Sequence, residues 1–321
     1  MLRLSRALVC AALLCVLSNV CFAQEPAPTS TPVAPAAQPA HVEVTLTGGK
    51  GRAVPELTRE DVRVFVDGVE RPVVSFEKET QPVSYGLVVD NSASLRSQMA
   101  RVVSAAKFVV TQNAPGDEAF VVRFVASDQI SVLQNFTADK AALNAAFDSM
   151  FVQGGQTALL DALHLAGEHL TKKAKRDGAP GRRLALILVS DGEDRQSWYK
   201  AEQVFKLLKA GGVQVFCVGL TGELDDVQGF INKGRRQRAK DLLLKIADET
   251  GGRVFYAEKG GELEDAVGDV VRDMRARYVV GYTPPEPGGK GNGKVEVKLV
   301  GAPAKEKLKA ITRQKEAEAR P

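Results

Sequence analysis

Residues 83–98 read VSYGLVVDNSASLRSQ, and this stretch decides the fold. An apolar strand pattern runs directly into Asp90, Ser92 and Ser94, and a helical pattern begins at Leu95. Three small side chains that carry oxygen therefore gather in one turn at the carboxyl end of a strand. Open α/β sheets bind their ligands at that edge, and hard cations prefer oxygen ligands. The stretch predicts an α/β sheet with a candidate cation site.

Two further segments repeat this arrangement. Residues 154–157 (GGQT) open a helical pattern with an apolar face, and the apolar run at 184–190 ends in residues 191–194 (DGED). The D-x-S-x-S turn by itself has a second interpretation, because Asp and Ser are also common in turns and as helix caps. Three oxygen-rich strand or loop ends, each leading into a helix, favour a shared site.

This combination resembles the von Willebrand factor type A (VWA) domain with its metal-ion-dependent adhesion site, over about residues 82–280. Five positions match the metal ligands of that family residue by residue: Asp90, Ser92, Ser94, Thr157 and Asp191. The family often has Gly before the second serine and Met after it, where this chain has Ala93 and Leu95. Neither is a ligand side chain, so this departure affects the shape of the loop more than metal binding.

The residue types of this site predict its chemistry. Hydroxyls of Ser92, Ser94 and Thr157 ligate a divalent cation without neutralising it, while Asp90 and Asp191 supply charge directly or through water. Mg²⁺ prefers an octahedron of oxygens and often keeps water or a partner's carboxylate among them. The resemblance implies that this open position accepts a Glu or Asp side chain of a protein partner. We expect Mg²⁺ as the cation, with Ca²⁺ or Mn²⁺ as alternatives, because the same oxygens serve all of them.

Strand and helix patterns alternate as in a doubly wound, Rossmann-like sheet. Strands are predicted at residues 85–89, 119–124, 130–133, 184–190, 213–219 and 253–256. Helices are predicted at residues 95–112, 138–148, 157–175, 198–210, 239–250 and 262–277. The strand at 130–133 follows its neighbour too closely for a helical crossover, so it is predicted to be antiparallel and at the edge. The predicted fold class is α/β, with a mostly parallel six-stranded sheet.

Both ends of the VWA segment predict a small module that resembles a β-sandwich. Residues 41–81 hold alternating strands around an Asp67-Gly68 hairpin turn. Residues 277–302 hold further strands, which we expect to pair with the N-terminal ones. This arrangement, with a Tyr-x-x-Gly-Tyr segment after the VWA helix, is similar to VWA-related proteins that bacteria secrete.

The N-terminal residues have the pattern of a cleavable signal peptide. Arg3 and Arg6 precede an apolar run that is short for a membrane span, and residues 21–23 (CFA) form a cleavage site. We expect a secreted or periplasmic protein without a transmembrane segment after cleavage. In chain order the predicted segments are a signal peptide at 1–23, a Pro/Ala-rich linker at 24–40, an N-terminal β module at 41–81, the VWA domain at 82–276, C-terminal strands at 277–302 and a charged, fraying tail at 303–321.

Cysteine content and charge narrow the function classes. Three of the four cysteines lie in the signal peptide, so Cys217 is alone in the mature chain and no internal disulfide forms. Cys217 lies in an apolar strand and is predicted to be a buried core thiol. Cleavage removes two arginines and lowers the formal net charge from +4 to +2. This balance does not indicate nucleic-acid binding.

We expect a binding module and not an enzyme. The sequence has no G-x-S-x-G elbow, no phosphate-binding P-loop and no G-x-G-x-x-G after the first strand, which disfavours serine hydrolases and nucleotide binding. The enzymatic alternative is metal-assisted phosphoester hydrolysis, because Asp90, Asp191 and Asp194 are carboxylates at strand ends. The D-x-S-x-S turn offers hydroxyls where a phosphatase needs a second aspartate. A third interpretation is a structural VWA scaffold without metal-dependent binding.

Three features near the candidate site have two interpretations each. Glu193 and Asp194 are predicted to cap the helix that starts near Ser197, or to support the metal indirectly. Trp198 either packs under its loop or contacts a partner on the metal face. The basic cluster in residues 221–238 is either a solvated loop or a specificity loop near the metal, because it too follows a strand end.

Overall fold

The structure is a computed structural model that describes residues 38–48, 56–79, 81–178, 182–224, 234–257, 261–285, 293–305 and 308–314. Its strands are β1 (Ala40–Gly48), β2 (Val62–Val66), β3 (Val69–Arg71), β4 (Val73–Lys78), β5 (Val83–Asp90), β6 (Glu118–Phe124), β7 (Ile130–Thr137), β8 (Arg183–Ser190), β9 (Gln214–Gly219), β10 (Val254–Tyr256), β11 (Arg277–Tyr282), β12 (Val295–Leu299) and β13 (Leu308–Gln314). Its α-helices are α1 (Met99–Thr111), α2 (Lys140–Asp148), α3 (Leu159–Asp177), α4 (Ala201–Ala210), α5 (Arg235–Thr250), α6 (Glu262–Arg275) and α7 (Gly301–Lys305).

The central sheet has six strands in the order β10-β9-β8-β5-β6-β7. All neighbours are parallel except β7, which pairs antiparallel with β6 at the edge. The predicted α/β fold class and its antiparallel edge strand are therefore confirmed. From β5 the chain moves to β6 on one side and later returns to β8 on the other side. The carboxyl ends of β5 and β8 thus form the switch point at which such sheets bind ligands.

Helices cover both faces of this sheet, in keeping with the mostly apolar central strands β5 and β8. Helices α1, α2 and α6 pack on one face, and α3, α4 and α5 pack on the other. Every residue of β5 is buried. Gly86 in β5 gives room to the Phe120 side chain, because a Cβ atom at position 86 would lie 2.3 Å from the Phe120 ring. Cys217 in β9 is fully buried, as predicted.

The strands outside the VWA segment form two small antiparallel sheets, ordered β13-β1-β11-β4 and β12-β2-β3. Both sheets combine strands from the two ends of the described chain and share one apolar core. Asp67 and Gly68 join β2 to β3 with φ angles of 49° and 81°, as a type I′ hairpin turn requires. The predicted module built from both chain ends is confirmed.

Several boundaries differ from the predictions. Residues 308–314 form β13 and pair with β1, although the sequence there predicted a fraying tail. The alternating apolar residues of this strand are few, so the charged composition of the tail concealed it. Helix α5 begins at Arg235 rather than at residue 239. The predicted signal peptide lies outside the described residues, as does nearly all of the predicted linker, and both stay predictions. None of the helices described here is long and apolar enough to cross a membrane.

Candidate metal site

Asp90 is the last residue of β5 and is completely buried. Its Oδ1 atom accepts a hydrogen bond from the Ser92 backbone N–H at 2.9 Å. Its Oδ2 atom accepts one from the Ser190 hydroxyl at 2.7 Å. Ser190 ends the neighbouring strand β8, so the sheet itself positions the carboxylate. The sequence analysis did not single out Ser190, whose only signal was its place at the end of an apolar strand.

Ser92 and Ser94 occupy the turn that follows β5 and connect Asp90 to Asp191. Their hydroxyl oxygens lie 2.9 Å apart, and the Ser94 hydroxyl donates to Asp191 Oδ2 at 2.7 Å. Asp90, Ser92 and Asp191 are buried, whereas Ser94 is exposed. The cluster therefore opens to solvent on the side of Ser94.

Thr157 lies in the segment between α2 and α3 and is 5% exposed. Its backbone carbonyl accepts hydrogen bonds from the N–H groups of Arg195 at 2.8 Å and Gln196 at 3.2 Å. Earlier in the same segment, Gln153 forms a parallel bridge with Ser92. The Thr157 segment is thus joined to the two loops that carry the other candidate ligands, at the carboxyl edge of the sheet.

The turn after Asp191 depends on Gly192, which has a φ angle of 83°. This left-handed conformation is costly for other residues, and a Cβ atom at position 192 would also lie 3.0 Å from the Ala239 carbonyl oxygen. The sharp turn lets Asp191 Oδ1 accept the Glu193 backbone N–H at 3.0 Å. The Asp191 carboxylate is therefore held from both sides, by Glu193 and by Ser94.

The two carboxylates of the cluster are electrostatically unfavourable as they stand. Burial, followed by repulsion from Asp191, raises the pKa of Asp90 to about 7. Burial also raises the pKa of Asp191 above its ordinary value. No Lys or Arg among the described residues forms an ion pair with Asp90. Two buried carboxylates with adjacent hydroxyls match the oxygen ligands of a divalent cation, so these residues fit such an ion.

The described residues contain no group of three or more His, Cys, Asp or Glu side chains that would hold a metal ion. Residues 86–269, more than half of the 321 residues, match the family model described as the von Willebrand factor type A domain. The chain belongs to the VWA family.

Solved structures of low sequence identity resemble the chain. An aerotolerance-related membrane protein from Bacteroides fragilis is 17% identical, with a TM-score of 0.47, and the match covers 60% of this chain and 98% of that chain. BatB from Bacteroides thetaiotaomicron is 18% identical, with a TM-score of 0.46 and coverage of 60% and 98%. Proximal thread matrix protein 1 from the mussel byssus, with a zinc-occupied MIDAS motif, is 20% identical, with a TM-score of 0.46 and coverage of 65% and 49%. No curated protein matches the sequence.

Asp194 of the VWA domain caps α3 and not α4, so the predicted role at the helix after Ser197 is wrong. Its Oδ1 atom accepts the Leu160 backbone N–H at 3.3 Å and the Ser197 hydroxyl at 2.5 Å. Ser197 in turn accepts the backbone N–H of Asp161 at 3.2 Å. The loop after β8 therefore folds back over the first turn of α3, which sequence spacing alone does not reveal.

Asp161 is a buried residue that the sequence analysis missed. Its carboxylate accepts the backbone N–H groups of Trp198 at 3.0 Å and Tyr199 at 2.9 Å, and the Ser127 hydroxyl at 2.6 Å. An acidic residue among the apolar positions of α3 was the available signal. Trp198 is 85% exposed, so the interpretation that it packs under its loop is wrong. Asp161 holds the loop backbone and leaves the Trp198 indole in solvent.

Glu193 is held by arginines instead of capping a helix. Two hydrogen bonds of 2.7 Å join its carboxylate to the guanidinium of Arg235, and Arg195 pairs with the same carboxylate. The hydrogen bonds from Arg235 are the main reason that the pKa of Glu193 is lowered. Arg235 of the basic cluster therefore begins α5 beside the candidate metal site and contacts the loop that carries Asp191.

Proposed function

We propose that this VWA protein is a secreted module that binds a protein partner through a divalent cation. The cation is held by the cluster of Asp90, Ser92, Ser94, Thr157 and Asp191. The buried Asp90 carboxylate, which has no cationic partner among the described residues, carries this proposal. A raised pKa of a buried acid means that its ionised form is destabilised unless a positive charge lies nearby. A divalent cation supplies that charge and polarises the oxygen that binds at its open position.

The chain's own residues have separate roles in this proposal. Asp90, fixed by Ser190 and by its own turn, provides buried charge at the base of the site. The Ser92–Ser94–Asp191 hydrogen bonds join the two loops, and the serine hydroxyls would keep their protons when their oxygens ligate a cation. Because hydroxyls add no charge, the cation keeps an affinity for one more carboxylate. A Glu or Asp side chain of the partner is the proposed last ligand, with Mg²⁺ the proposed cation.

Binding is favoured over phosphoester hydrolysis by the position of Asp194. A hydrolase with this set of carboxylates needs an acid or base next to the metal. Asp194 is engaged in the cap of α3 instead, and its hydrogen bonds lead away from Asp90 and Asp191. The proposed location, secreted or periplasmic, is supported by the signal-peptide pattern at residues 1–23.

Calorimetric titration of the mature protein with Mg²⁺, Mn²⁺ and Ca²⁺ tests the metal site. A capped peptide with one glutamate, Gly-Gly-Glu-Gly-Gly, then tests the carboxylate position, and its glutamine analogue is the control. We expect saturable metal binding, and binding of the glutamate peptide only when metal is present. The Asp90→Ala and Thr157→Ala variants are expected to lose both metal binding and peptide binding. Circular dichroism is expected to show that their fold is retained.

Asp148→Ala is the matched control, because Asp148 is an exposed aspartate at the end of α2 that pairs with Lys107. It is expected to bind metal and peptide like the wild type. Unchanged metal binding in the Asp90→Ala variant contradicts the proposed site. Metal binding without any preference for the glutamate peptide contradicts the proposed carboxylate partner.

A further inference from the structure

A cleft of about 500 Å³ opens beside the candidate metal site. One wall is the loop of residues 192–195, and the other is the beginning of α5 with Arg235 and Arg238. The cleft starts at the residue that follows Asp191. Gly192 is adjacent to Asp191 in the chain, and adjacent Cα atoms are about 3.8 Å apart. This wall of the cleft therefore begins next to a candidate metal ligand.

Arg195 and Arg238 present exposed positive charge at this cleft. Glu193 engages both Arg195 and Arg235, and its own carboxylate is mostly buried, with a side-chain exposure of 11%. Arg195 is 47% exposed while it makes this contact. Arg238 is exposed, and no carboxylate pairs with it among the residues that the structure describes. Arg195 and Arg238 therefore keep exposed guanidinium groups at this cleft, and Asp194 lies against α3.

A purely structural role accounts for only part of this arrangement. The bidentate contact between Glu193 and Arg235 fixes α5 to the loop after β8, and one arginine is enough for that purpose. Arg195 and Arg238 add two further guanidinium groups that face solvent around the same cleft. Guanidinium groups bind carboxylates with parallel hydrogen bonds, so the chemistry of this surface fits an acidic group.

We propose that this arginine cleft binds a second acidic side chain of the partner segment whose first carboxylate reaches the metal. This inference rests on the proposed function and names its partner more closely: an extended segment with two acidic residues a few positions apart. Arg195 and Arg238 make the new contacts. Binding at two linked points gains affinity, because the second contact forms within the same complex.

Peptides with two glutamates test the inference on the metal-loaded mature protein. Three capped peptides separate the glutamates by one, two or three glycines, and each has an analogue in which glutamine replaces the second glutamate. We expect at least one spacing to bind roughly three- to tenfold more tightly than its analogue, the range of one exposed charge-assisted contact. Added NaCl is expected to reduce this gain, because exposed charges are screened.

Two double variants distinguish an effect of the arginine cleft on peptide affinity from an effect of net charge. Arg195→Gln/Arg238→Gln is expected to abolish the gain of the second glutamate, while the affinity for Mg²⁺ and for the one-glutamate peptide stays within about twofold of the wild type. Arg176→Gln/Arg272→Gln removes the same charge from the last turns of α3 and α6. It is expected to retain the gain.

The outcomes distinguish this inference from the proposed function. Metal-dependent binding of the one-glutamate peptide without any gain from a second glutamate overturns the arginine cleft alone. Equal loss of the gain in both double variants also overturns it, because general charge is then the cause. Absence of metal-dependent peptide binding altogether overturns the proposed function, and the cleft inference with it.

Discussion

The two edges of the VWA sheet surround buried aspartates with different neighbours. At the amino edge, Asp273 forms an ion pair with Arg253, and both side chains are only 2% exposed. Asp117 at the same edge pairs with Arg275. At the carboxyl edge, Asp90 has only hydroxyl and backbone N–H donors among the described residues. Among the described residues, the fold thus pairs two buried acids with arginines at one edge and leaves Asp90 without a cationic partner at the other.

This difference indicates that the buried acids of one edge serve stability and that Asp90 at the other edge serves function. Buried ion pairs have their charge satisfied within the chain, and breaking one partner is strongly destabilising. A buried acid without a positive neighbour is a cost to the folded state that an added cation removes. The amino edge is therefore interpreted as structural, and the carboxyl edge as a site that is completed from outside.

The largest expected effect is a loss of stability from a substitution at the amino edge. Asp273→Ala leaves the Arg253 guanidinium buried without its carboxylate, and we expect a loss of about 3–5 kcal/mol in the free energy of unfolding. Urea unfolding of the metal-free protein measures it. Asp269→Ala is the matched control on the same helix, because its partner Arg272 is exposed, and it is expected to cost less than about 1 kcal/mol. Similar values for the two variants would remove the contrast between the edges.

Asp90→Asn tests the other edge with an isosteric change. We expect the affinity for Mg²⁺ to fall by more than about 100-fold, the upper end of what loss of an indirect partner costs. Calorimetry measures the affinity. The free energy of unfolding without metal is expected to stay unchanged or to rise, because the amide carries no buried charge. A large loss of stability without metal would instead assign Asp90 a structural role like that of Asp273.

The raised pKa of Asp90 predicts a pH dependence with opposite signs for metal binding and stability. Below pH 7 a proton competes with the cation, so we expect the apparent affinity for Mg²⁺ to fall by up to about tenfold per pH unit. Without metal, the folded chain holds this proton more tightly than the unfolded chain. Stability is therefore expected to decrease as pH rises from about 4 to 7.

Calorimetry between pH 6 and 8 and urea unfolding of the metal-free protein measure these two dependences. Asp90→Asn is the control, and its stability is expected to vary less over the same pH range. Metal affinity that is independent of pH between 6 and 8 would show that Asp90 is already ionised before the cation binds.

The smallest expected effect is the loss of stability when the Asp194 side chain is removed. Asp194→Ala removes the cap of α3, and we expect a loss of about 0.5–2 kcal/mol in the free energy of unfolding. Asp139→Ala is the matched control, since Asp139 caps α2 by accepting the Ala141 backbone N–H at 2.8 Å, and a similar loss is expected. The affinity for Mg²⁺ is expected to change little in either variant. A loss of affinity confined to Asp194→Ala would bring back a direct role at the metal.

The sequence was sufficient for the central sheet because its signals are local. Apolar runs, turn residues and helical periodicity predicted six strands, the antiparallel edge strand β7 and the Asp67-Gly68 turn. The candidate ligands were equally accessible, since Asp90, Ser92 and Ser94 lie in one turn. The resemblance to the VWA family, confirmed by the match over residues 86–269, then added Thr157 and Asp191.

Contacts between distant segments were not accessible in this way. Asp161 and Asp194 act on residues more than thirty positions away, and nothing in the local pattern indicates which backbone N–H groups they accept. The same holds for the pairing of Glu193 with Arg235. Of the two interpretations of Trp198, the packed one was wrong although a lone tryptophan is usually buried, because here its loop is fixed through the backbone.

Thermal unfolding of four samples tests most directly whether the carboxyl edge is completed by a cation. These are the wild type and Asp90→Asn, each without divalent metal and with saturating Mg²⁺. Because a ligand of the folded state stabilises it by mass action, Mg²⁺ is predicted to raise the Tm of the wild type and to leave that of Asp90→Asn unchanged. Without metal, Asp90→Asn is predicted to be at least as stable as the wild type. An equal response of both proteins to Mg²⁺, or no response of either, would contradict the account.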